Sequence, residues 1–333
     1  MTTMIEPSSN TVAGTLTHTI QQTDCTVSEP RIVSSLTNSL SRYPAGFHVL
    51  TKALQDGSTA VVYAGYNPQT NQRVAVKQLS IAGHTAETLA TAMRREITAH
   101  LKLDGHVNVG RFLGVELPCV NSRQTSGISN PALIFELYEH GDLLEHIPVH
   151  RGLHESTAVI AISGVCEALV HMHNKGIVHR DIKSENVCVG NDGFVKVIDF
   201  GSCLFLDNEE RIHVMTEDDF MVGSIPYLAP EFYTMARQSK CNLMAVDAWA
   251  LGIFIYSVLT GAFPFTEANS NCDEFLRYTK CSVADSEFAS STGFGAVNYW
   301  SVLSTRMSQI VSGLLCIDPT QRMSVSEARS LLQ

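Results

Sequence analysis

The chain has 333 residues, 44% hydrophobic and 17% charged. That supports a sizeable core in one bilobal unit or about two domains, and excludes wholesale disorder, collagen and coiled coil. The excess of 33 acidic over 23 basic side chains gives a formal net charge of -10, so the surface repels phosphate backbones and nucleic acid is not an expected partner.

The nine cysteines form no CxxC pair, which points to an intracellular protein with reduced thiols, cytoplasmic with nuclear access open. Residues 1–45 are rich in Thr and Ser and read as a disordered tail. MTTMIEPSSNTVAG lacks the basic and apolar regions of a signal peptide. From residue 46 the pattern changes. FHVLTKAL, VVYAGY and RVAVKQL are β-type runs separated by DGSTA and NPQTNQ, which predicts an antiparallel meander. Ala86 to Leu103 has helical composition, and VGRFLGVEL and ALIFELY are two more strands around a polar loop at 121–130. Val159, Ile162, Val165, Leu169 and Met172 mark an amphipathic helix that stops at Lys175 and Gly176. The apolar stretch Ala248 to Leu259 is too short to span a bilayer and reads as a core helix, so no membrane insertion is expected. A small β-rich lobe (46–138, with the joint near Glu136 to Gly141) is thus followed by a larger α-rich lobe (139–333).

A hairpin, NVCV–GNDG–FVKVID, places Asn186 at the start of its first strand and Asp199 at the end of its second. Antiparallel pairing returns both to one end of the ladder. An amide oxygen and a carboxylate converging there suit Mg²⁺, although the same residues could merely cap turns. Just upstream, Asp181 could accept a hydroxyl proton and Lys183 could neutralise a transferring group.

VAVK ending at Lys77, HRDIKSEN at 179–186, DFG at 199–201 and APE at 229–231, with DAWALG and Arg322 in DPTQR, stand in one order and spacing. Together they resemble the eukaryotic-type protein kinases over about residues 47–333. The resemblance implies a bilobal α+β fold, with ATP–Mg²⁺ between a five-stranded antiparallel sheet lobe and a helical lobe. It implies that Lys77 holds the α- and β-phosphates and pairs with Glu96, Glu87 being less well placed. It makes Asp181 the catalytic base, sets Lys183 on the γ-phosphate, and gives the metal ions to Asn186 and Asp199. Glu136 to Tyr138 would be the hinge that bonds adenine, with Phe135 as gatekeeper. Val62 and Ala75 would cover the base, Cys188 would lie beneath it, and Asp142 would touch the ribose or a basic substrate residue.

The chain departs from the family at the Gly-rich loop, where QDGSTAVV keeps only Gly57; Gln55 and Ala60 occupy the outer glycine positions. A pseudokinase scaffold or allosteric partner is therefore the alternative to an active enzyme, and a kinase-fold enzyme acting on a small molecule is a third reading. Lys183, and Ser224 in GSIPYLAPE, resemble the Ser/Thr group. Glu185 and Asp142, with the net charge, suggest a protein substrate that is basic around its phosphoacceptor; solvated surface charge is the plain alternative. Arg180 is expected to pair with either a phosphorylated Thr216 or the carboxylate of Asp219, which leaves room for an upstream activator. The histidines 146, 150 and 154 have helical metal-site spacing, but Pro148 and Gly152 interrupt the helix. Cys203 is expected to be a buried, inert thiol, Asp247 to brace the HRD backbone, and Glu231 and Arg322 to form a structural ion pair.

Overall fold

The computed structural model describes residues 49–57, 60–80, 86–116, 131–206, 212–280 and 299–333. The tail read over 1–45, the loop at 121–130 and part of the stretch from Thr266 to Ser301 lie outside the described residues.

The three β-type runs form β1 (Val49–Asp56), β2 (Ala60–Tyr66) and β3 (Arg73–Leu79), paired antiparallel in sequence order. Then come α1 (Ala86–Leu103), β4 (Phe112–Glu116) and β5 (Ala132–Glu136). The sheet order is β1-β2-β3-β5-β4, so β5 returns between β3 and β4. Ala132, Leu133 and Ile134 are buried on both faces, which suits an interior strand. Strand alternation sorts β3 by face: Val74 and Val76 pack with Ala132 and Ile134, leaving Ala75 and Lys77 on the opposite face. Val62 of β2 is directly across from Lys77.

The second half is built on two helices. α2 (Glu155–Asn174) is capped by His154, whose side chain accepts from Ser156 N, and buries Ile162, Val165, Leu169 and Met172 of the predicted stripe, with Val159 half-buried at its start. Around the chemistry-bearing loops lie short strands: β6 (Ile177–Val178), β7 (Val187–Val189), β8 (Val195–Val197), β9 (Leu204–Phe205) and β10 (His213–Val214). After α3 (Glu231–Thr234) and β11 (Lys240–Cys241) comes α4 (Leu243–Thr260), then α5 (Asp273–Lys280), α6 (Thr305–Leu314) and α7 (Val325–Leu332). α4 starts five residues before the apolar stretch at Ala248, and both it and α2 reach a length and hydropathy compatible with a membrane span. The expectation that the stretch is too short is corrected to that extent. Every residue of α4 except Met244 is nevertheless buried within the protein, so it is the core helix of this half.

One buried ion pair ties α3 to the C-terminal segment. Arg322 meets Glu231 bidentately at 2.7 and 2.8 Å, donates to the carbonyls of Ala245 and Cys316, and lies over the Trp249 ring at 5.0 Å. Removing one partner of such a pair strands the other charge, so Arg322→Ala is expected to lower the unfolding free energy by about 3–5 kcal/mol. Urea denaturation checks this; a loss below about 1 kcal/mol would mean that water already satisfies Glu231.

Candidate active site

The loop from His179 to Asn186 is held from below. Asp247 of α4 accepts from the backbone N–H groups of His179 and Arg180, both at 2.8 Å, and bonds His173 Nε2 at 2.8 Å. Burial opposes the Asp247 charge, but the His173 contact and the N–H donors hold its carboxyl below the usual range. This grip matters because Arg180 has φ 68°, a left-handed conformation that costs a non-glycine residue about 1–2 kcal/mol. Asp247 braces the loop as expected, and His173, a second anchor, is one that the motif reading missed.

Above the brace, polar groups converge on Asp181. Lys183 Nζ lies 2.9 Å from Asp181 Oδ2. Ser224 Oγ donates to Asp181 Oδ1 at 3.0 Å while accepting from Lys183 at 2.8 Å. Asn186 Nδ2 donates to the backbone O and Oδ2 of Asp181 at 2.8 and 3.0 Å. With its nitrogen engaged there, the Asn186 amide presents its oxygen as the remaining group.

The hairpin delivers Asp199 to the same end as Asn186. Val187 pairs with Val197 and Ile198 N donates to Asn186 O at 2.9 Å, so both functional residues sit one or two positions outside the ladder rather than within its strands. Asp199, at φ 60°, accepts through Oδ1 from Lys77 at 2.8 Å and Gly201 N at 3.1 Å. Its side chain is 44% exposed, and the two oxygen donors fit a hard divalent cation.

Lys77 also reaches both oxygens of Glu96 at 2.9 Å, and Glu96 is buried in α1; Glu87 is exposed in the first turn. Burial alone would lower the Lys77 pKa, but the charges of Glu96 and Asp199 raise it above the ordinary lysine value. Burial likewise opposes the Asp199 charge, yet Lys77 brings its carboxyl down to about 2. The contact therefore joins the lysine of β3 to carboxyl groups of α1 and the loop after β8, and burial pulls the Glu96 carboxyl up while Lys77 opposes that rise. Behind it, the His100 ring of α1 packs 4.6 Å from Phe200, 5.0 Å from Phe135 and 5.7 Å from Phe112. Burial pushes His100 down to about 3, so the ring is neutral in this aromatic cluster.

Val62 and Ala75 lie on the same sheet face as Lys77, and Cys188 of β7 is opposite Asp142 in an isolated bridge. Burial pushes the Cys188 thiol up to about 12. Asp142 Oδ1 accepts from Glu145 N at 3.2 Å, capping a short helical turn. At the joint between the lobes, Tyr138 is buried and its OH accepts from Arg111 N at 2.9 Å. Gln55 sits in β1 opposite Val62, and Gly57 N donates to Ala60 O at 3.0 Å. Neither Gln55 nor Ala60 has positive φ, so on these two residues the missing glycines impose no left-handed strain.

The loop from Ser202 to Ser224, which the resemblance makes the activation segment, carries its own anion. Asp219 accepts from Arg180 at 2.5 Å, His213 Nε2 at 2.8 Å, Thr216 N at 2.8 Å and Thr216 Oγ at 2.7 Å. Burial alone would raise its pKa, but these donors and the Arg180 charge hold it far below the usual carboxylate range. His213 in turn belongs to β10, paired with β11 at Cys241. His213 was not foreseen, because only tertiary folding brings it onto Asp219.

Other groups do not converge. His146 ends a short helical turn and bonds His140 O, His150 has φ 59° and His154 caps α2, so the three share no helix face. Cys203 is fully buried and burial pushes its thiol up to about 12, which makes it a poor nucleophile.

A family model described as the protein kinase domain matches residues 49–331. The chain is 30% identical over 239 residues to serine/threonine-protein kinase chk1 of Schizosaccharomyces pombe, a match covering 71% of this chain and 42% of that protein. It is 30% identical over 286 residues to ribosomal protein S6 kinase alpha-4 of Homo sapiens, covering 83% and 33%. It is 31% identical over 244 residues to testis-specific serine/threonine-protein kinase 5 of Mus musculus, covering 67% and 61%. The chain thus spans less than two thirds of the length of each of these relatives.

Proposed function

The chain belongs to the protein kinase domain family, and from that premise we propose that it is an active Ser/Thr protein kinase of cytoplasmic signalling, moving the γ-phosphoryl group of ATP to a protein hydroxyl. The observation that carries this reading is Lys77 bound at once to Glu96 and Asp199, which joins three separate elements around one site for phosphate charge. In this reading Lys77 holds the α- and β-phosphates and Glu96 keeps it extended. The Glu136 and Tyr138 backbone bonds adenine between Val62 and Ala75 above and Cys188 below, with Asp142 beside the ribose and Gly57 over the phosphates. Asn186 and Asp199 are the residues that would hold Mg²⁺, which when bound supplies positive charge to the phosphates. Asp181 orients the substrate hydroxyl and receives its proton as the new O–P bond forms and the bond to ADP breaks; Lys183 offsets charge on the transferring group.

A basic protein substrate is favoured by Glu185 of the catalytic loop, whose Oε2 is buried with no hydrogen-bond partner among the described residues. A cationic side chain would satisfy it. The second reading, a pseudokinase scaffold, draws on Gln55 and Ala60 in the phosphate loop. The deciding experiment incubates the protein with γ-labelled ATP, Mg²⁺ and a basic protein, followed by phosphoamino-acid analysis. Label on serine or threonine is the expected result. Absence of both transfer and nucleotide binding would replace the enzyme with the scaffold.

A further inference from the structure

The outer edge of the lobe joint is completed by a side chain. β7 runs antiparallel to the segment after the joint: Leu143 N donates to Val187 O at 2.7 Å and Val189 N to Gly141 O at 3.1 Å. Two residues further along both chains, the next partners in register would be Glu139 and residue 191. The hairpin backbone turns away there, with Gly190 N on Phe194 O at 2.8 Å. The Asn191 side chain fills the gap instead: Glu139 N donates to its Oδ1 at 3.3 Å, and its Nδ2 donates to Leu137 O at 3.1 Å. One amide group thus supplies the acceptor for Glu139 N that residue 191 would have offered in a continued ladder, and the donor for Leu137 O that residue 193 would have offered. The turn carrying it is anchored, since Lys196 Nζ joins Asp192 at 2.6 Å to Val107 O at 2.7 Å.

Leu137 O and Glu139 N flank Tyr138 and point to one side, as in an extended residue whose own N–H and C=O face the other side. We propose that Asn191 is a positioning residue: by holding the outer edge of 137–139 it aims the inner backbone edge at the purine, and so sets affinity for the base rather than the rate of transfer. This rests on the reading of the cleft as a nucleotide site. Alanine removes both bonds; aspartate, nearly the same shape, replaces the donor with a second acceptor facing Leu137 O.

Calorimetric binding of Mg²⁺–ADP and of Mg²⁺–tripolyphosphate, which has no base, is measured for wild type, Asn191→Ala and Asn191→Asp, with KM for ATP and kcat alongside. Both variants are expected to bind ADP about three- to tenfold more weakly. KM for ATP should rise in parallel, with unchanged tripolyphosphate affinity, kcat within about twofold and melting temperatures near wild type. Equal ADP binding by all three proteins, or equal weakening toward tripolyphosphate, overturns the positioning role while leaving the nucleotide site intact. A wild-type protein that binds no ADP overturns the nucleotide reading itself.

Discussion

Asp181→Asn is expected to lower phosphoryl transfer by about 10²–10⁴-fold, the usual worth of a positioned acid–base group. Two effects act together. An amide cannot take up the hydroxyl proton, and its NH₂ would have to face either Lys183 and Asn186 or Ser224. Lys183 and Asn186 present nitrogen donors at 2.9 and 3.0 Å to one oxygen of Asp181, and Ser224 donates to the other at 3.0 Å. Because the fold's grip on the loop comes from Asp247 through the backbone of residues 179 and 180, nucleotide affinity and melting temperature should stay close to wild type. Steady-state transfer with parallel nucleotide binding checks this. Activity within tenfold of wild type would remove Asp181 from the base role.

Asp219→Ala is expected to cost about 10- to 100-fold in transfer, corresponding to the loss of a charge-assisted bond of about 1.5–3 kcal/mol that orders the activation segment. The carboxylate gathers donors from the catalytic loop, β10 and its own turn, so removing it leaves Arg180 buried with its backbone still in the left-handed region. Thr216→Ala deletes one of those donors, the hydroxyl, while the Thr216 N–H remains, and should cost less than about fivefold. The two variants and phosphatase-treated wild type are compared in the same transfer assay. If phosphatase or Thr216→Ala collapses activity while Asp219→Ala is tolerated, a phosphate on Thr216 is the ordering anion instead.

The split between what was legible and what was not follows the range of the forces involved. RVAVKQL was legible as a strand, and in the folded sheet the alternation of its side chains puts Ala75 and Lys77 on one face. The turn residues of the hairpin were enough to bring Asn186 and Asp199 together, because a two-strand ladder leaves its two ends little choice. The length of α4 was misread: Leu243 to Ala248 includes Asp247, which interrupts the apolar run, yet the carboxylate is buried because two backbone N–H groups and His173 satisfy it.

By itself, the amino-acid sequence determined the elements and which residues could do chemistry, through short-range pattern: the three strands of the meander, the span of α1, the motifs that hold Lys77, Asp181, Asn186 and Asp199. Only the tertiary structure decided which distant groups satisfy one another. It put β5 inside the sheet, seated Asp219, one of the two anions the sequence offered to Arg180, on that guanidinium, placed His213 and His173 on buried carboxylates, and let Asn191 bond the backbone on both sides of Tyr138. The reason is physical. Local periodicity reports only which way a side chain faces, whereas the partner of a buried charge or an unpaired backbone group is fixed by desolvation, which acts between whichever groups the completed fold brings within about 3 Å of each other.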